Sequence, residues 1–174
     1  IKQKRIILRE VADSIKYDSE ESLRNGLRRI SEAEKFLGYK APDIRKKAGK
    51  ALSEIEKSKR TVKDIALNNS FKIVEEKEII FSSYKEAVKA KKIIQDASKL
   101  YYKKICEQNR EEIENEYNRI CIENQTLRVA SQVLDAIKKQ IDDFEIERRI
   151  VKDIIVNDKG DISEGEKIVY DSFE

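Results

Sequence analysis

Histidine is absent from the 174 residues. That removes the commonest general base, the Ser-His-Asp and Cys-His nucleophile arrangements, and the commonest metal ligand together. Carboxylate di-metal bundles need Glu-x-x-His pairs on facing helices, so the acidic cluster Glu111, Glu112, Glu114 and Glu116 reads as a solvated face. The two cysteines, Cys106 and Cys121, lack C-x-x-C spacing, so neither zinc nor a redox motif is indicated. Ala48 to Ala51 carry a Gly-Lys pair, but the preceding glycine is Gly38 and no serine or threonine follows, which excludes a phosphate-binding loop. The acidic residues after Asp158 fall at the wrong offsets for an EF-hand. No window approaches the roughly 18 unbroken apolar residues of a membrane span. The expectation is a non-enzymatic, soluble segment, cytoplasmic or surface-exposed, with no catalytic residue, no cofactor and no metal.

Tryptophan is also missing, and there are one proline and five glycines against 41% charged and 39% hydrophobic residues. Long solvated helices with narrow apolar stripes have this composition. Isoleucine (25) exceeds leucine (9) and lysine (25) exceeds arginine (12), an excess that helix propensity does not explain and AT-rich coding does. Ile1 stands where a start methionine would, so the chain reads as a single helical domain that is a fragment or processed form of something longer.

Apolar spacing and punctuation predict helices near 2–17, 19–37, 42–67, 71–107, 111–156 and 164–173. Ile7, Val11 and Ile15 mark one face of the first. Asp18 caps the second, with Glu21 three residues on and Gly38 at its end; Gly26 is a tolerated weakness inside it. Pro42 opens the third, where Ile44, Ala48, Ala51, Ile55, Ser58, Val62 and Ile65 recur at heptad spacing. Ser70 is a candidate N-cap for the fourth, and no glycine or proline then appears until Gly160. One helix from Ser70 to Val156 would be about 130 Å long, so a turn is expected inside it. Asn109 with Glu112 is the preferred place, Thr126 the competitor, and an unbroken rod the third possibility. Ser163 and Glu166 form a capping box before a short last helix carrying Ile168, Val169 and Phe173.

Two surfaces stand out as candidate sites. Leu127, Ala130, Leu134, Ile137, Ile141, Phe144, Arg148, Val151 and Ile155 recur in steps of three and four, and the segment Leu134 to Val151 is a candidate partner seam. Arg148 within it reads as a seam-edge arginine that covers apolar surface with its stem, or as a register-setting partner for a buried acid. Lys46, Lys50, Lys57 and Arg60 project together from the third helix as a candidate anion-binding stripe. Charge is divided along the chain: residues 1 to 69 hold 18 basic and 11 acidic side chains, residues 70 to 174 hold 19 and 23. No aromatic residue is interleaved with the stripe to stack on bases, which argues against nucleic acid as a partner.

The fold class these features predict is all-α, an elongated antiparallel helical bundle or coiled coil with two long helices and a short C-terminal helix. The predicted function is a non-catalytic protein–protein interaction or scaffold module acting through helix faces, with an unidentified protein partner and a homodimer as the alternative should the seam stay uncovered. The composition loosely resembles helical ectodomains of bacterial surface lipoproteins from AT-rich genomes, which implies binding of host proteins as an alternative. A nucleic-acid or anionic-membrane binder using the basic N-terminal third is the second alternative, with peripheral membrane contact as one form of it.

Overall fold

Three helices open the chain, and local chemistry sets their ends. α1 spans Lys2–Asp13, α2 Glu20–Leu37 and α3 Pro42–Arg60 in the computed structural model, which describes residues 1–172. Ser19, one residue beyond the predicted cap, accepts a hydrogen bond from the Ser22 N–H. At the other end of α2, Gly38 adopts φ +60°, the Gly38 N–H donates to the Lys35 carbonyl and the Tyr39 N–H to that of Glu34, closing the helix as a Schellman motif. The buried Glu34 carboxylate then accepts the Ala41 N–H at 3.0 Å and pairs with Arg45 at 3.3 Å, fixing the start of α3.

These helices belong to the first of two compact units, residues 1–61 with 80–87; the second comprises residues 62–79 with 88–174. In the first unit, Arg24 near the start of α2 meets Glu56 near the end of α3 at 2.5 Å, and Lys59 bonds Glu20, so the two helices run antiparallel. Lys59, and after it Arg24, also holds the Glu20 carboxyl below the usual carboxylate range. Leu23, Ile30, Ile15 and Ala48 form the core, with Leu27, Ile44 and Ile55 against them. A Cβ at Gly26 would stand 2.6 Å from the Ile15 side chain. The expected weak point of α2 is therefore where the chain leaving α1 packs onto it.

The second unit is built on helices and hairpins together. β1 (Thr61–Leu67) and β2 (Ile73–Ile80) form one two-stranded sheet. α4 (Tyr84–Tyr101), α5 (Arg110–Asn124) and α6 (Ser131–Arg148) follow, then β3 (Ile150–Val156) and β4 (Ile162–Val169) pair antiparallel with Ile150 opposite Val169 and Val156 opposite Ile162. Arg110 at the start of α5 reaches Glu145 near the end of α6 at 2.7 Å, so these helices are antiparallel, and Ile113, Ile120, Val133 and Ile137 are buried on them. Asp64 of β1 is buried and accepts the Ala130 N–H at 2.7 Å, placing a carboxylate at the N-terminus of α6, where the helix dipole favours one. Arg119 joins α5 to α4 through Asp96 at 2.8 Å, and with Glu116 and Glu123 its guanidinium proton is held more tightly than usual.

The fold is thus mixed: 58% helix and 17% strand, with two small antiparallel sheets. The all-α expectation and the two long helices are incorrect, for identifiable reasons. Val62 and Ile65 continue the heptad spacing of α3, yet the helix stops at Arg60. Thr61 turns to extended geometry, its hydroxyl donating to the Lys57 carbonyl. Asn68, Phe71 and Lys72 then make a tight turn where a helix start at Ser70 was expected. The predicted span 71–107 is a strand followed by α4. The span 111–156 is interrupted where Arg128 and Ala130 take φ +53° and the Asn124 side chain brackets Val129. It ends in β3, because Ile150–Val156 is rich in β-branched residues that fit a strand better than a helix. The predicted helix 164–173 is β4 through Val169, with the Ser163 hydroxyl donating to the Ile155 carbonyl instead of capping; Phe173 lies outside the described residues. α1 ends at Asp13, short of Tyr17.

Both hairpins turn on asparagine, and in the same way. The Asn68 side chain accepts the Ser70 and Lys72 N–H groups, both at 2.9 Å, while the Asn157 side chain accepts those of Lys159 and Asp161, also at 2.9 Å. Backbone bonds repeat too: Asn68 N–H to Lys72 C=O and Phe71 N–H to Asn68 C=O in one, Asn157 to Asp161 and Gly160 to Asn157 in the other. The fourth residue of each turn is left-handed, and glycine suits it in the second hairpin, at Gly160 (φ +83°). In the first hairpin that place is taken by Phe71 at φ +56°.

Candidate binding site

An aromatic side chain in a left-handed turn costs conformational energy, and Phe71 is also 74% exposed. Two tyrosines at the end of α4 hold it there. The Tyr101 hydroxyl donates to the Phe71 carbonyl at 2.9 Å, and the Tyr102 hydroxyl accepts the Ile73 N–H at 3.2 Å. The two rings meet edge to face with centroids 5.2 Å apart. Tyr102 keeps 63% of its surface open.

These rings form part of a cleft of about 520 Å³ within the second unit. The segment Lys103–Ile105 continues its wall, and α6 supplies Gln140, Asp143, Phe144 and Glu147, spaced so that they share one helix face. The adjoining stripe of α6 carries the buried Leu134, Ile137 and Ile141, with Phe144 at the border between the two. The helix is therefore anchored by one stripe and presents a second. The segment after α4 is pinned by Asn109, whose side chain accepts the Cys106 N–H at 2.9 Å and donates to the Lys104 carbonyl at 3.0 Å. Lys103 pairs with Glu112 at 2.6 Å. On α5, burial raises the Tyr117 hydroxyl above its ordinary range, helped by its hydrogen bond with Cys121. Both cysteines are free thiols. Among the described residues no cluster of three or more acidic or thiol groups is placed to hold a metal.

The sequence-predicted seam divides. Leu134, Ile137 and Ile141 are core residues, Phe144 lines the cleft, and Val151 lies exposed on β3 beyond the helix. Arg148 pairs with Glu107 at 3.1 Å and Glu145 at 3.2 Å, neither of them buried. The predicted basic stripe sits in the first unit. Lys46, Lys50 and Lys57 are exposed on α3, with Lys50 4.0 Å from Glu54. Arg60 serves the fold instead, donating to the Phe81 carbonyl at 3.1 Å and that of Ser82 at 3.3 Å.

Phe71, Tyr101 and Tyr102 escape a reading by apolar periodicity because none belongs to a stripe. The available signals were "NNSFK", an asparagine turn containing an aromatic, and the "YYKK" pair after α4. A second exposed surface is the β3–β4 hairpin, where Ile154, Ile155, Val156, Ile162 and Val169 are all more than half exposed. No protein-family model, no curated protein and no solved structure matches the chain.

Proposed function

We propose that the chain is a non-catalytic protein-interaction module whose contact surface is the aromatic cleft of the second unit. One observation carries this reading: Phe71 occupies a left-handed position that the chain's other hairpin gives to glycine, and holds its ring in solvent. Exposure and strain at one residue, secured by two tyrosine hydroxyls, point to a preorganised aromatic anchor. The volume lies in the range of ligand clefts, and the α6 face beside its core stripe offers the helix surface such a module uses. With no histidine in the sequence, the cleft also lacks the usual proton-transfer group.

Selection of displayed peptides on the purified chain tests the reading. The wild-type chain is expected to enrich a consensus that Phe71→Gly and Tyr102→Ala lose while circular dichroism stays unchanged. A consensus indifferent to both substitutions, or no consensus, would overturn it.

A further inference from the structure

The α6 wall of the cleft carries an arrangement that helix stability disfavours. Asp143 and Glu147 are like charges four residues apart, and among the described residues neither has an ion-pair partner. Glu147 also lies in the last turn of α6, where the helix dipole repels a carboxylate. On the same helix Glu145 is paired with Arg110 and Arg148, and Asp142 with Lys138. Asp143 and Glu147 line the cleft together with the rings of Phe71, Tyr101, Tyr102 and, on α6 itself, Phe144. Carboxylates beside aromatic faces are the groups that hold an alkylammonium or guanidinium, through charge-assisted hydrogen bonds and cation–π attraction.

We propose that the cleft receives an arginine or lysine side chain of the partner, seated between Asp143, Glu147 and the aromatic rings. This rests on the protein-interaction reading above and adds the chemistry of its ligand. Two lysines also line the cleft. Lys103 is neutralised by Glu112, whereas Lys104 has no ion-pair partner among the described residues. One open cation therefore faces two open anions, and the bound basic group lies against α6, away from Lys104. Arginine is favoured over lysine, because its planar group can stack on a ring while bridging both carboxylates.

The test uses four capped pentapeptides that differ only at the central residue: arginine, lysine, norleucine or glutamate. Each is titrated into the full chain while the ring resonances of Tyr102 and Phe144 are followed by NMR. The arginine peptide is expected to bind about ten-fold more tightly than the glutamate peptide, and the preference should vanish in Asp143→Asn/Glu147→Gln and reverse in Asp143→Lys/Glu147→Lys. Asp143→Asn/Glu147→Gln relieves the like-charge pair and Asp143→Lys/Glu147→Lys exchanges it for one of the opposite sign near the helix C-terminus, both on an exposed face, so little change in thermal melts is expected alongside. Equal binding of the norleucine or glutamate peptide would overturn the charge assignment and leave the interaction reading intact. If none of the four moves the rings, while displayed peptides still bind elsewhere on the chain, the cleft is not the site and both readings fail there.

Discussion

Phe71 and Gly160 stand at the same place in two turns of the same construction, so each is a control for the other. Replacing Phe71 by glycine relieves a left-handed backbone at an exposed position and removes little buried surface. Phe71→Gly is expected to raise unfolding stability by about 1 kcal/mol, reduced somewhat by the greater freedom of glycine in the unfolded chain. Urea denaturation measures this; a loss of stability would show that the ring supports the fold, and its exposure would then need no ligand. Gly26 makes the opposite case. Alanine is the better helix former by about 1 kcal/mol, but a Cβ there meets Ile15 at 2.6 Å. Gly26→Ala is expected to destabilise the first unit by about 1–3 kcal/mol, and a higher melting temperature would disprove the close packing.

At the scale of elements, what the sequence made legible follows from which signals are unambiguous. The end of α2 at Gly38 and the start of α3 at Pro42 were readable because glycine and proline act through their own backbone, whatever the tertiary setting. The strands were hidden because Val62 and Ile65, or Val151 and Ile155, sit three and four residues from helical neighbours, and such spacing alone does not separate a helix from a short strand. Breaks were expected at both turns, between 67 and 71 and between 156 and 164; what stayed hidden is that asparagine side chains make hairpin turns there, with strands and not helices on either side. Of the site, the apolar anchor of α6 was visible as a stripe; the α6 face toward the cleft was visible only in Phe144, and the three rings from other elements come together only in three dimensions. The Asp64 link from β1 to α6 is of that kind too. Asp64→Ala would leave the Ala130 and Ile65 N–H groups without their acceptor, with an expected loss of about 1–3 kcal/mol. Asp64→Asn keeps an acceptor and should lose less. Equal effects would mean that charge at the helix end, and not the hydrogen bond, is what Asp64 contributes.

The β3–β4 hairpin is an element whose composition and setting disagree. Isoleucine and valine dominate it, yet among the described residues its side chains are mostly exposed, and a two-stranded hairpin alone is marginal in water. Lys152 bonds Glu164 across the strands, and Ile155 lies against Gly165, where a Cβ would stand 2.9 Å away. Amide hydrogen exchange should find Val151 to Val169 opening far more readily than α5 and α6. Protection equal to that of the helices in the isolated chain would mean the hairpin is covered, for instance by a second copy.

Across the whole molecule, charge follows the two units. The first, residues 1–61 with 80–87, holds 18 basic and 11 acidic side chains; the second holds 19 and 23. A basic surface invites the nucleic-acid reading, and Lys46, Lys50 and Lys57 are exposed to serve it. Phosphate contacts without stacking or base-reading groups give binding that falls steeply with salt, and the exposed aromatic rings described above lie in the acidic unit. The expected result is weak retention of single-stranded DNA at low ionic strength that disappears near about 0.15 M salt. Lys46→Glu/Lys50→Glu/Lys57→Glu, which moves the first unit from +7 to +1 by six charge units, should abolish even that in fluorescence anisotropy. Arg60 is left out of this reversal because its guanidinium holds the carbonyls of Phe81 and Ser82, so its loss would confuse unfolding with lost binding. A sub-micromolar complex that survives elevated salt and is destroyed by the triple reversal would make the first unit a nucleic-acid binder, and the aromatic cleft would then be a second site on a protein with a different principal partner.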